Sequence, residues 1–105
     1  MNAQAALTEA VYYILLSLVM PRHGYGIMQE TERMSQGRVK LAAGTLYGAI
    51  NGLLDKGWIK SVPGEDDSRR KDYALTDKGK EALEGELDRL KELVENGENV
   101  LGGEA

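Results

Sequence analysis

At Gly57 the sequence changes its period. Before it, the stretch LAAGTLYGAINGLLDK repeats its apolar residues at helical spacing, with Leu46, Ile50, Leu53 and Leu54 at i, i+4, i+7 and i+8 of a helix beginning near Gly44. After it, WIKSV and RKDYAL alternate at a period of two on either side of the turn-rich PGEDDSR, which reads as a β-hairpin. A glycine at the switch is the residue a helix C-terminus favours.

Two further helices precede this one. Thr8 is a fitting N-cap with Glu9 in the first turn, and an apolar helix runs from it to about Met20, where Pro21 is expected to stop it. Leu7, Val11, Ile14, Leu15 and Leu18 form one stripe, whereas Tyr12, Leu16, Val19 and Met20 lie outside it. A helix apolar over so much of its circumference is expected to bury a second face against another subunit. The second helix, GYGIMQETERM, follows the connector PRH and repeats Ile27, Met28, Thr31 and Met34. His23, the only histidine, lacks any neighbour at metal-ligand spacing and is read as a hydrogen-bonded turn residue. The link SQGRVKL then alternates Arg38, Val39, Lys40 and Leu41, a short extended piece with both cations on one side.

Three helices followed by a hairpin is the order of a winged helix-turn-helix. The fold class is therefore mainly α with a small β-hairpin (α+β), with residues 1–75 forming this domain and residues 76–105 an appended helix. The outward face of the third helix carries Thr45, Tyr47, Gly48, Asn51 and Gly52, small or hydrogen-bonding groups rather than long charged ones. Such a face can lie close to another surface, and a DNA major groove is wide enough to take a helix. An ordinary amphipathic helix with a poorly solvated exposed face is the competing reading. Arg69, Arg70 and Lys71, three consecutive cations at the returning edge of the hairpin loop, stand where a wing reaches phosphates or a minor groove. Glu65, Asp66 and Asp67 at the loop tip lack the spacing of a twelve-residue calcium loop, and no metal or cofactor is expected.

The net charge of −4 is unevenly placed: residues 1–75 hold nine Lys/Arg against eight Asp/Glu (+1), and residues 76–105 four against nine (−5). Exposed charges are screened beyond about 10 Å at 0.1 M salt, so a local basic surface acts on phosphates although the whole chain is acidic. The absence of cysteine removes disulfides, thiolate metal sites and thiol nucleophiles. The apolar run Val11–Met20 spans ten residues, too short for a bilayer, and lacks the basic segment that would precede it in a signal peptide, so the chain is expected in the cytoplasm and off the membrane. One histidine, no cysteine, no glycine-rich loop after a strand and no paired buried carboxylates leave no set of groups for catalysis.

Thr76, with Asp77 behind it, opens the last helix, expected to reach about Asn99. Leu83, Leu87, Leu90, Val94 and Leu101 follow steps of four and three with Gly97 at the remaining position, a coiled-coil-like seam. A helix this long with so narrow a stripe calls for a partner helix, and it is expected to stand apart from the compact core. Gly79, Gly85 and Gly97 each cost about 1 kcal/mol of helix propensity and should let its end fray. A homodimer follows, built on this helix and on Leu7, Val11, Tyr12 and Leu16 of the first.

Taken together, LTEAVYYILLSLV, HGYGI, GTLYGAINGLLDKGWI and RRKDYALTDKGKEAL, in this order over residues 7–83, resemble the PadR transcriptional regulators in their short form. The resemblance implies a dimeric winged-helix repressor of double-stranded DNA, with the helix from about Gly44 to Lys56 in the major groove and the last helix swapped against the partner's first. It implies that Thr45, Tyr47 and Gly48 face the groove with Asn51 a turn on, that Arg38 and Lys40 flank them, that Arg70 and Lys71 serve the wing, and that Tyr25 touches a phosphate. For Tyr25 and Tyr47, packing against the core is the alternative. Family members can be relieved from DNA by small aromatic or cationic effectors at the dimer interface, but the last helix here offers no aromatic residue for stacking. The chain departs from the family in having Ala42 and Ala43 where serine and proline usually precede GTLY, and Gly48 where proline is frequent. A winged helix used only to bind other proteins remains the rival function.

Overall fold

The structure is a computed structural model describing residues 6–63 and 71–102. Its elements are α1 (Glu9–Ser17), α2 (Gly24–Met34), α3 (Ala43–Lys56), β1 (Ile59–Pro63), β2 (Lys71–Leu75) and α4 (Asp77–Leu101). Arg69, Arg70 and the acidic loop tip lie outside the described residues.

Each helix starts where a side chain can accept a free backbone N–H, with one exception. Thr8 Oγ1 accepts from Val11 N (3.1 Å), His23 Nδ1 from Gly26 N (3.1 Å) and Thr76 Oγ1 from Gly79 N (3.0 Å). The exception is α3, whose N-cap Ala42 offers no such group. At its other end Gly57 adopts φ 76°, and its N–H and that of Trp58 bond to the carbonyls of Leu54 and Leu53, closing the helix in a Schellman turn. Between α2 and α3 the chain reverses through two left-handed residues, Gln36 and Gly37, and Ser35 Oγ then accepts from Val39 N (2.9 Å).

The core draws on every element: Ile14, Leu15 and Leu18 from α1 and its cap, Ile27 from α2, Leu46, Ile50 and Leu53 from α3, Ile59 and Tyr73 from the hairpin, and Leu83 from α4. The strands pair antiparallel in the register Ile59↔Leu75 to Pro63↔Lys71. The connector after α1 adds a third short edge, since Arg22 and Tyr73 exchange backbone hydrogen bonds of 3.1 and 2.8 Å. The hairpin is thereby fastened to the helical layer beside the start of α2.

Two expectations are corrected. First, α1 ends at Ser17, short of Pro21. Ser17 Oγ donates to the Ile14 carbonyl (2.7 Å), Leu18 N and Val19 N close tighter i−3 bonds, and Arg22 Nε donates to the Ser17 carbonyl (2.7 Å), so the end is satisfied before the proline is reached. Second, α4 does not stand apart from the core: Gly79, Ala82, Leu83 and Glu86 are buried. Gly79 is required by proximity, because a Cβ there would overlap the Trp58 carbonyl oxygen and lie 2.8 Å from its carbon. The same carbonyl accepts from Thr76 N (3.0 Å), and Thr76 Oγ1 donates to Gly57 O (2.6 Å). Beyond Leu90 every described residue of α4 is exposed, and the helix continues to Leu101. This free half helps to make the molecule 59 Å long in a body 33 by 21 Å across. Among the described residues no helix is long and apolar enough to cross a membrane.

Candidate nucleic-acid interface

Helix α3 divides cleanly. Leu46, Ile50 and Leu53 are buried, while Thr45, Tyr47, Gly48, Asn51 and Gly52 are exposed. Around Gly44, Gly48 and Gly52 a Cβ would meet nothing within 4 Å, so the outward surface is smooth and a partner can come close to the backbone. With no side-chain cap at Ala42, the first-turn N–H groups and the positive end of the helix dipole face outward as well.

The two tyrosines behave differently. Tyr25 is 63% exposed, with its ring stacked on His23 at 6.5 Å and 14° between planes. Tyr47 is 45% exposed and leans back onto Gly24, the buried first residue of α2. It also lies near Tyr73, whose phenol is pushed above its ordinary range by burial first and by Tyr47 second. Tyr73 and Leu75 face inward, in keeping with their expected role in the wing strand.

The flanking cations are occupied. Arg38 donates through Nε (2.9 Å) and Nη2 to one oxygen of Glu9, and Lys40 Nζ lies 4.0 Å from Glu32 Oε2. All four side chains are largely solvated, so each pair is weak and exchangeable. On the wing, Lys71 is exposed at the start of β2 opposite Pro63; its neighbours Arg69 and Arg70 lie outside the described residues. Sequence reasoning missed both acidic partners, and missed that Arg22 ties α1, the connector and β2 together.

The surfaces expected to meet a second copy fall into three groups. Leu87, Val94 and Leu101 are exposed, joined by Leu93 and Val100, which the heptad pattern passed over; Val100 and Leu101 are 76% and 87% exposed. Leu7, Val11, Tyr12, Leu16 and Leu90 are half-buried. Leu83, assigned to the seam, is instead buried in the chain's own core. Beside it an apolar groove of about 380 Å³ runs between α1 and α4, lined among others by Tyr12, Leu16, Val19, Leu75 and Leu87. Under the α1 end of this surface, Glu86 is buried at 1% exposure and bonds Arg89 at 2.9 and 2.6 Å. The Arg89 hydrogen bonds hold its carboxyl below the usual range against the opposing effect of burial, and the Leu7 backbone N–H helps.

Three helices followed by an antiparallel hairpin that is bridged to the connector before α2, with a third helix whose first turns expose only small and neutral polar groups, together define a winged helix-turn-helix protein. The transcriptional regulator PadR-like family matches residues 13–85, and the chain belongs to that family, whose members regulate transcription by binding DNA. Among solved structures, a transcriptional regulator from Clostridium thermocellum is 28% identical with a TM-score of 0.69, covering 87% of this chain and 88% of its own. A PadR family transcription regulator from Clostridium difficile R20291 is 26% identical with a TM-score of 0.67, covering 89% and 98%. A PadR-like transcription factor from Bacteroides fragilis is 26% identical with a TM-score of 0.69, covering 87% of each. No curated protein matches the sequence.

Proposed function

We propose that the chain is a sequence-specific repressor that binds double-stranded DNA as a homodimer in the cytoplasm, on a pseudo-palindrome with half-sites about one helical turn, near 10 base pairs, apart. The observation that carries this reading is the outward face of α3, smooth at Gly44, Gly48 and Gly52, with Thr45, Tyr47 and Asn51 as neutral polar groups over its first turns and Asp55 exposed only in its last turn. Thr45 and Asn51 supply donors and acceptors for base edges, and the uncapped N-terminus of α3 favours a phosphate. Tyr25, Arg38, Lys40 and Lys71, with the wing cations Arg69 and Arg70 of the sequence, contact the backbone and set register without reading bases.

The second copy is held by the exposed half of α4, whose Leu93, Val94, Val100 and Leu101 would otherwise remain in water, laid against the partner's α1 and its groove. An effector bound at that junction relieves repression by favouring a dimer shape in which the two α3 helices no longer match successive grooves. Repressors commonly act on their own promoters, so the test is a mobility-shift titration on the DNA upstream of the chain's own coding sequence, with a scrambled duplex beside it. Retardation of the upstream duplex at concentrations well below those needed for the scrambled one supports the reading. Equal affinity for both, or none, removes it in favour of a protein-binding winged helix.

A further inference from the structure

The ring of Tyr47 occupies space that belongs to residue 24. A Cβ built on Gly24 would overlap the Tyr47 hydroxyl oxygen and lie 2.8 Å from Cζ and 3.3 Å from Cε1. Gly24 does not have a positive φ, so the backbone there accepts any residue and the glycine is explained by the ring alone. Tyr47 also lies close enough to the Tyr73 phenol to affect its ionisation, and Tyr73 exchanges two backbone hydrogen bonds with Arg22, two residues before Gly24. One side chain of α3 thus rests on the start of α2, and the connector just before that point is bonded to the wing strand β2. These are the three elements that must meet a duplex in fixed relation.

We propose that Tyr47 is a positioning residue: its ring sets the seating of α3 against the start of α2, and Thr45 and Asn51 read bases only in that seating. The role rests on the DNA-binding reading and departs from it at one point, because the Tyr47 hydroxyl is turned toward Gly24 and is not itself a base reader. Groups that recognise a ligand need placement to about half an ångström by packed neighbours. A helix with glycine at three outward positions has few contacts over which to spread an error.

The exposed side of the ring makes a clean experiment available. In Gly24→Ala the new methyl evicts the ring into solvent, where it has room, while the helical backbone of α2 accepts alanine. Gly24→Ala, Tyr47→Phe, Tyr47→Ala and the double Gly24→Ala/Tyr47→Ala are compared with the parent protein. The probes are a duplex enriched from a random library by the parent and a scrambled duplex of the same composition, titrated at several salt concentrations, with the thermal midpoint of each variant alongside. Tyr47→Phe should keep the specific-to-nonspecific ratio within about twofold of the parent. Gly24→Ala and Tyr47→Ala should each lower it about tenfold or more, with nonspecific affinity and salt dependence unchanged. The double variant should be no worse than the poorer single, since both remove the same contact.

The role is overturned if Tyr47→Phe loses as much as Tyr47→Ala, because the hydroxyl then reads DNA directly. It is also overturned if Tyr47→Ala binds like the parent, or if folded Gly24→Ala does. Should Gly24→Ala melt far below the parent, the Phe and Ala variants at position 47 decide alone. Failure to enrich any duplex removes the DNA-binding reading and this role together, an outcome distinct from enrichment with an intact Tyr47→Ala ratio.

Discussion

Arg38 reaches back 29 positions to Glu9, placing Nε and Nη2 on a single carboxylate oxygen in the first turn of α1. The cation that leads into α3 is therefore already paired when DNA arrives, and a phosphate has to displace the carboxylate. Glu9→Gln should tighten binding to any duplex a few-fold and steepen the slope of log affinity against log salt by about one, because one more cation becomes free to release counterions. Fluorescence anisotropy over a salt series measures both. Unchanged affinity and slope would mean that Arg38 does not meet the duplex.

The close approach of α4 to the hairpin predicts a severe single-site defect. Gly79→Ala sets a methyl inside the Trp58 carbonyl, a backbone atom that cannot swing away. The loss should be about 3 kcal/mol, at the upper end for overpacking, and roughly 10–15 °C in thermal midpoint. Gly97→Ala, where a Cβ meets nothing within 4 Å in the single chain, should cause no comparable loss, since it adds helix propensity and displaces no atom of its own chain.

Acid sensitivity follows from Glu86. Its folded-state pKa is lowered, chiefly by the Arg89 hydrogen bonds, so its contribution is fully present above the unfolded value. That contribution is lost as pH falls from about 4.3 through the lower folded value. Glu86→Gln should lower the thermal midpoint at pH 7, and the gap from the parent should narrow as the pH falls below the ordinary carboxylate range. A gap that widens on acidification would contradict the sign of this argument.

The missing cap at the start of α3 offers a gain. Ala42→Ser provides an oxygen for a first-turn N–H and should stabilise the protein by about 1 kcal/mol, readable as an upward shift in the denaturant midpoint at constant slope.

The exposed end of α4 predicts the oligomeric state. Sedimentation at micromolar concentration should report a dimer for the parent and a monomer for Val94→Asp/Leu101→Asp, both positions being solvent-exposed in the single chain. A parent monomer would remove the dimeric repressor.

Local punctuation made much of this legible. Gly57 ended α3 where expected, because glycine in the left-handed region is a signal carried by the residue itself, and the start at Ala43 lies one residue from Gly44. The hairpin strands fall within one residue of the alternation seen in the sequence. The end of α1 was illegible because Val19 and Met20 continue the apolar run, while the hydrogen bond that closes the helix comes from Arg22. The seam on α4 was visible as a period, but its first turns pack at home through Gly79 against a carbonyl 21 residues earlier, and periodicity does not say whose core a stripe enters. At the interface, HGYGI and GTLYG could each be recognised alone. That Gly24 exists for Tyr47, and that Glu9 and Glu32 hold Arg38 and Lys40, are facts of the folded chain only.

Helix α4 is one unbroken rod, clamped at Gly79 and free past Leu90, so its angular phase is decided at the clamp and inherited by the tip. One residue inserted between Arg89 and Leu93 would swing Val94 and Leu101 by about 100° around the axis, and seven would bring them back to nearly the same bearing. Chain length between clamp and tip thus works as a dial, admitting only particular spacings for any partner that grips the far end.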